Sequence, residues 1–199
     1  MDVKTVDYTA PDAQHSLAES LRETGFAVLV NHPISAPRID EAYALWSEFF
    51  ASADKMDWLR HRETQDGFFP FLSENAKGAT AKDLKEFYHV YSWGRVPDNL
   101  SNMTRQLYGD LVTLGQELLG WLDNEMPADV RDRMTAPLSS MMDESEQSLL
   151  RILHYPPLSE ELEKGAEDST AIRAAAHEDI NLITLLLAGS KPGLEAQDT

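Results

Sequence analysis

His177, Glu178 and Asp179 stand side by side in the chain. On an extended backbone, residues two apart project to one side, so the His177 imidazole and the Asp179 carboxylate would converge on a single point. Such a pair supplies two of the three protein ligands of a two-His, one-carboxylate iron(II) centre, which keeps positions open for a co-substrate and dioxygen. The chain has no cysteine. Disulfides, thiolate ligands and a thiol nucleophile are therefore excluded, and a transition metal must be held by His, Asp and Glu. His-x-Asp alone also describes a polar turn between strands, and a zinc-bound water on the same two residues would make a hydrolase. The flank favours a metal site. Residues 180–187 are apolar apart from Asn181 and Thr184 and read as a buried strand, which sets the polar atoms at the rim of a β-core.

Other polar residues carry weaker signals. His154 reads as a core or rim residue that could stand near a substrate. His15, His32, His61 and His89 read as structural or surface residues, each a conceivable third ligand. Arg151 and Arg173 alternate with apolar residues, so each can point inward, as a buried ion pair or as a cation that attracts an acidic substrate. Lys85 and Glu86 read as a surface pair on a strand. Phe68, Phe69 and Phe71 follow Gly67 and read as core.

Several elements must position these groups. A helix is expected over residues 13–24, with Leu17 and Leu21 one turn apart and Gly25 as its stop. Residues 26–30 form an apolar run that predicts a buried strand. Ser35 is a candidate N-cap, Pro37 suits a first helical turn, and Ile39, Ala42, Tyr43, Trp46, Phe49 and Phe50 follow at helical spacing. Residues 65–71 read as loop and irregular strand, 73–80 as loop, and 85–93 as a strand ended by Gly94 and Pro97. Met103, Leu107, Leu111, Leu114, Leu118 and Leu122 step by three or four, predicting a long helix over 99–124. A shorter helix is expected from Pro127 to about Met134. A strand follows from Leu149 to His154, closed by Pro156-Pro157, and residues 172–177 could form another.

Four of these segments, in order, carry a family resemblance. They are Gly25-Phe26-Ala27-Val28-Leu29-Val30-Asn31-His32, Asp83-Leu84-Lys85-Glu86-Phe87-Tyr88-His89-Val90, Leu150-Arg151-Ile152-Leu153-His154-Tyr155-Pro156-Pro157, and His177-Glu178-Asp179-Ile180-Asn181-Leu182-Ile183-Thr184-Leu185-Leu186. Together they resemble the isopenicillin N synthase-like family of non-haem Fe(II)/2-oxoglutarate-dependent oxygenases. The resemblance implies an α+β fold: a helical N-terminal region, residues 1–145, packed on an incomplete double-stranded β-helix (jelly roll) whose first strands lie in 146–199. It implies Fe(II) held by His177 and Asp179, 2-oxoglutarate as co-substrate with Tyr155 in contact with it, and O2 and a small molecule as the reactants. Leu153 stands where many plant relatives have an Asn. The family's distal His and its Arg-x-Ser come fifty or more residues after the Asp, whereas this chain reaches Thr199, its last residue, sooner. The expectation is a chain catalytically incomplete as given, with a non-catalytic remnant or interaction protein as the alternative. An unclosed core would also leave residues 180–187 prone to self-association.

The bulk numbers agree with a folded, non-membrane protein. The chain has 199 residues, 42% of them hydrophobic, enough for one substantial core. A formal charge of −17 argues against nucleic-acid and anionic-membrane partners. The first ten residues are polar rather than signal-like, and no apolar run approaches a membrane span, so the expected location is cytoplasmic.

Overall fold

Gly25 ends the first helix by adopting φ 75°, a left-handed conformation that glycine reaches without a Cβ penalty, and its N–H closes on Leu21 O. In the computed structural model, residues 3–74, 82–143, 145–159, 173–174, 176–179 and 181–195 are described. The expected surface segment at 159–169 lies almost wholly outside them. The chain divides into two compact units, and both mix helices with strands.

The first unit comprises residues 1–41, 107–145 and 181–199. Strand β1 (Thr5–Asp7) leads into helix α1 (Ala13–Thr24) and returns as β2 (Val28–Val30), parallel to β1 with Val6 opposite Leu29. Parallel neighbours need such a crossover. The buried Ser20 hydroxyl locks this unit: it donates to Phe26 O at 2.6 Å and accepts from Lys4 N at 3.1 Å. The polar residues that open the chain carry no sign of β1. The expectation of a buried strand at 26–30 is also corrected, because Phe26, Val28 and Val30 are exposed and, among the described residues, β2 pairs with β1 alone.

Helix α2 (Ala36–Ala51) begins after Ser35, whose carbonyl accepts from Arg38 and Ile39 N–H, and helix α3 runs Asp98–Glu125. A short helix α4 (Ala128–Arg131) follows Pro127. Asp123 on α3 then holds the next turn, accepting from Leu138 N at 2.7 Å and Ser139 N at 3.0 Å. Desolvation opposes the charge on Asp123, but hydrogen bonds from Ser139 and Leu138 together outweigh it and keep its carboxyl below the usual value.

The second unit comprises residues 42–106 and 146–180. Its sheet is antiparallel in the order β3 (Gly67–Phe69), β4 (Glu86–Val90), β5 (Leu150–His154), with Phe69 opposite Phe87 and Phe87 opposite Leu153. Alternation divides β4 between two faces. Tyr88 points to α2, where its ring lies 5.0 Å from Trp46 and 5.5 Å from Phe49. Phe68 joins them at 6.1 Å from Phe49, and the buried Trp46 indole donates to Thr104 Oγ1 at 3.1 Å. The aromatic face expected on α2 is therefore the core of this unit. Phe69, Phe87 and His89 share the opposite face.

Residues 173–174 and 176–177 form no strand, and neither do 181–187. The expected buried strand at 180–187 is thus corrected over its described part. A buried strand needs a neighbour in a hydrogen-bonded ladder, and the strand pairings among the described residues do not include these positions. Ile183, Leu185 and Leu187 are half-covered, with Leu185 beside Gly115 of α3, while Leu182 and Leu186 are exposed. No helix among the described residues is long and apolar enough to cross a membrane.

Candidate functional site

His177 and Asp179 lie on irregular backbone, with Nε2 and Oδ1 3.7 Å apart and side chains 56% and 52% exposed. Metal–ligand bonds of about 2.0–2.2 Å let two donors up to roughly 4 Å apart share one ion, so this donor pair fits a divalent metal as two of its ligands. Among the described residues, no group of three His, Asp or Glu side chains completes a metal cluster. The other histidines with a described partner are engaged elsewhere: His15 with Glu125, His61 with Thr64 N, His89 with Gln65 and Arg151, and His154 with Glu86. Arg173 donates to Pro156 O at 3.1 Å on the surface.

Tyr155 follows β5 directly and is 38% exposed. It continues the alternation of Arg151 and Leu153, so the three form one row along the strand.

The densest chemistry lies at the start of that row. Arg151 Nε donates to His89 Nε2 at 2.9 Å, while His89 Nδ1 sits 3.1 Å from Gln65 O. These partners require the neutral tautomer with its proton on Nδ1. Burial, assisted by the Arg151 charge, lowers the His89 pKa to about 4. The Arg151 guanidinium lies 4.4 Å from the centre of the Phe87 ring, and Phe87 stacks on Phe69 at 4.4 Å. Arg151 Nη2 also reaches both oxygens of Glu74, at 2.9 and 3.1 Å. Lys85 Nζ lies 2.8 Å from Asp83 and 3.4 Å from Glu74.

On the other face of β4, Glu86 accepts from Lys55 Nζ at 3.0 Å and lies 2.8 Å from His154 Nδ1. The His154 ring stacks 5.0 Å from Phe50. Lys85 and Glu86 are thus both buried, not the surface pair expected from the sequence. Each face of β4 is covered, and each charge has a partner there. Nothing local in the sequence marks Glu74 and Asp83 as the partners of Arg151 and Lys85. The excess of cations over anions among residues 85–89 and 151 is the sequence signal that acidic partners lie nearby.

Comparisons with known proteins give this arrangement a context. A family model for the non-haem dioxygenase in morphine synthesis N-terminal region matches residues 2–109, over half of the chain. The proline hydroxylase buaE of Petromyces alliaceus is 30% identical, the alignment covering 100% of this chain and 68% of that protein. A solved structure from Shewanella oneidensis assigned to the oxygenases is 49% identical with a TM-score of 0.80, over 92% of this chain and 64% of that one. A full-length Neurospora crassa protein, solved in complex with alpha-KG and thymine, shares the fold at 18% identity and a TM-score of 0.67, covering 89% of this chain and 62% of that one. The chain spans roughly two thirds of the length of each. It belongs to the isopenicillin N synthase-like family of non-haem Fe(II)/2-oxoglutarate-dependent oxygenases.

Proposed function

We propose that this chain carries the first part of the active site of an Fe(II)/2-oxoglutarate-dependent oxygenase that oxidises a small molecule with O2. The observation that supports it best is the 3.7 Å approach of His177 Nε2 and Asp179 Oδ1 in a chain of this family. His177 and Asp179 are the proposed iron ligands, and Tyr155 the proposed contact to 2-oxoglutarate. Residues 1–145 serve as the N-terminal region, and 146–199 open the jelly-roll core.

Iron(II) with 2-oxoglutarate supplies oxidation by dioxygen when bound. The chain's own groups do the positioning. His177 and Asp179 would hold the ion, the imidazole through a ring-nitrogen lone pair and the carboxylate through a charge that would offset part of the metal's own. Tyr155, at the end of the β5 row, offers a hydroxyl to a carboxylate. The buried aromatic layer of Phe69 and Phe87 keeps water from the sheet behind that row.

An anaerobic titration of the folded chain with Fe(II) and 2-oxoglutarate tests this. The expected result is a weak visible charge-transfer band that His177→Ala or Asp179→Ala removes. A folded sample without the band, or variants that keep it, would overturn the assignment.

A further inference from the structure

The cations at the head of the β5 row, a buried Lys85 and a part-exposed Arg151, form a seat that opens to solvent. Arg151 is held on three sides: Phe87 lies under its plane, His89 Nε2 accepts its Nε–H, and Glu74 takes its Nη2. A guanidinium pinned in this way presents its remaining donors in a fixed direction, the geometry that recognises carboxylates. Among the described residues, Arg151 Nη1 has no hydrogen-bond partner. Lys85 is neutralised by Asp83, and both are almost fully buried. Glu74 is different. Its side chain is 36% exposed, and it sits on irregular backbone two residues after Leu72, which has a positive φ of 62°. The rigid fork is thus occupied by the part-exposed carboxylate of Glu74. Leu153 and Tyr155, both exposed, continue from this fork along β5, an apolar surface followed by a phenol.

We propose that Arg151, mounted on Phe87 and His89, seats the carboxylate of the primary substrate, that Glu74 holds this place in its absence, and that the apolar body of the substrate lies along Leu153 towards Tyr155. The inference rests on the oxygenase reading and names its substrate class: a small organic acid with an apolar body. 2-Oxoglutarate offers the same carboxylate chemistry, so the test must separate the two.

The test uses ligand-observed NMR on the full chain with EDTA present, and compares phenylacetate with its neutral isostere phenylacetamide. Wild type is expected to prefer the carboxylate at least tenfold. Arg151→Met should reduce that preference to within twofold, and Glu74→Gln should tighten phenylacetate severalfold by vacating the seat. Equal affinity for the two probes, including none for either, overturns the proposal, as does a Glu74→Gln variant that binds phenylacetate no better. Should Arg151→Met fail to fold by circular dichroism, the wild-type preference and the Glu74→Gln shift still decide. Displacement of phenylacetate by 2-oxoglutarate in wild type would assign the seat to the co-substrate and overturn the substrate claim. Because no metal is present, failure here is distinct from loss of the charge-transfer band, which tests His177 and Asp179.

Discussion

Arg151 gives its Nε–H to His89 Nε2 across 2.9 Å, so the imidazole can accept only while it is neutral. A proton on Nε2 would set two N–H groups against each other beside a permanent cation. The folded pKa of His89 is lowered from 6.5 to about 4. The unfolded chain therefore binds the extra proton first as pH falls. Stability from this site is complete above about 6.5 and is lost as pH drops towards 4, by up to roughly 3 kcal/mol. Urea denaturation between pH 7 and 4 should show this slope, and His89→Gln should flatten it. A variant with the wild-type slope would show that other groups carry the acid sensitivity.

Gly67 opens β3 at φ 109°, and a Cβ there would lie 2.7 Å from Trp58 O. Both the dihedral and the contact oppose any side chain. Gly67→Ala should cost on the order of 1–3 kcal/mol, read as a lower urea midpoint with an unchanged slope.

Glu86 is the shared partner of Lys55 and His154. Glu86→Ala leaves a mostly buried ammonium without its carboxylate and should destabilise by about 3 kcal/mol. Glu86→Gln keeps an acceptor and should cost less than half as much. Equal losses in thermal melts would mean that packing, not charge, is what Glu86 contributes.

His177→Ala and Asp179→Ala remove side chains that are more than half exposed. Their unfolding free energies should stay within about 0.5 kcal/mol of wild type, while manganese(II) affinity, read by electron paramagnetic resonance, falls at least tenfold. Affinity unchanged in both variants would place the ion elsewhere.

Leu182 and Leu186 are exposed on the apolar segment 181–187, which forms no strand. Leu186→Lys should lower concentration-dependent light scattering without changing the melting temperature. Scattering as strong as in wild type would clear this segment of a role in self-association.

Local signals were legible in the sequence where contacts are local. Helix α1, its Gly25 stop, α2 with its aromatic face, and α3 follow from periodicity and capping within a few residues of where they lie. Strand β1 was not legible because its three residues form a strand only through β2. Residues 180–187 misled for the complementary reason. Their apolar texture states a preference for burial, but strand formation also needs a neighbouring backbone. At the site, adjacency in sequence brought out His177 and Asp179. The Glu74, His89 and Arg151 cluster joins residues separated by 62 and 77 positions, which no local pattern encodes.

The Ser20 hydroxyl spans only 16 residues to Lys4 N, whereas the Glu86–His154 pair spans 68. Closing a short loop costs less chain entropy than closing a long one, so the β1–α1–β2 segment is expected to organise ahead of the three-stranded sheet. A nascent chain would then carry a preformed N-terminal knot of structure while β5 is still being synthesised. Kinetic φ-values higher at Ser20 than at Tyr88 would bear this order out, and the reverse ranking would refute it.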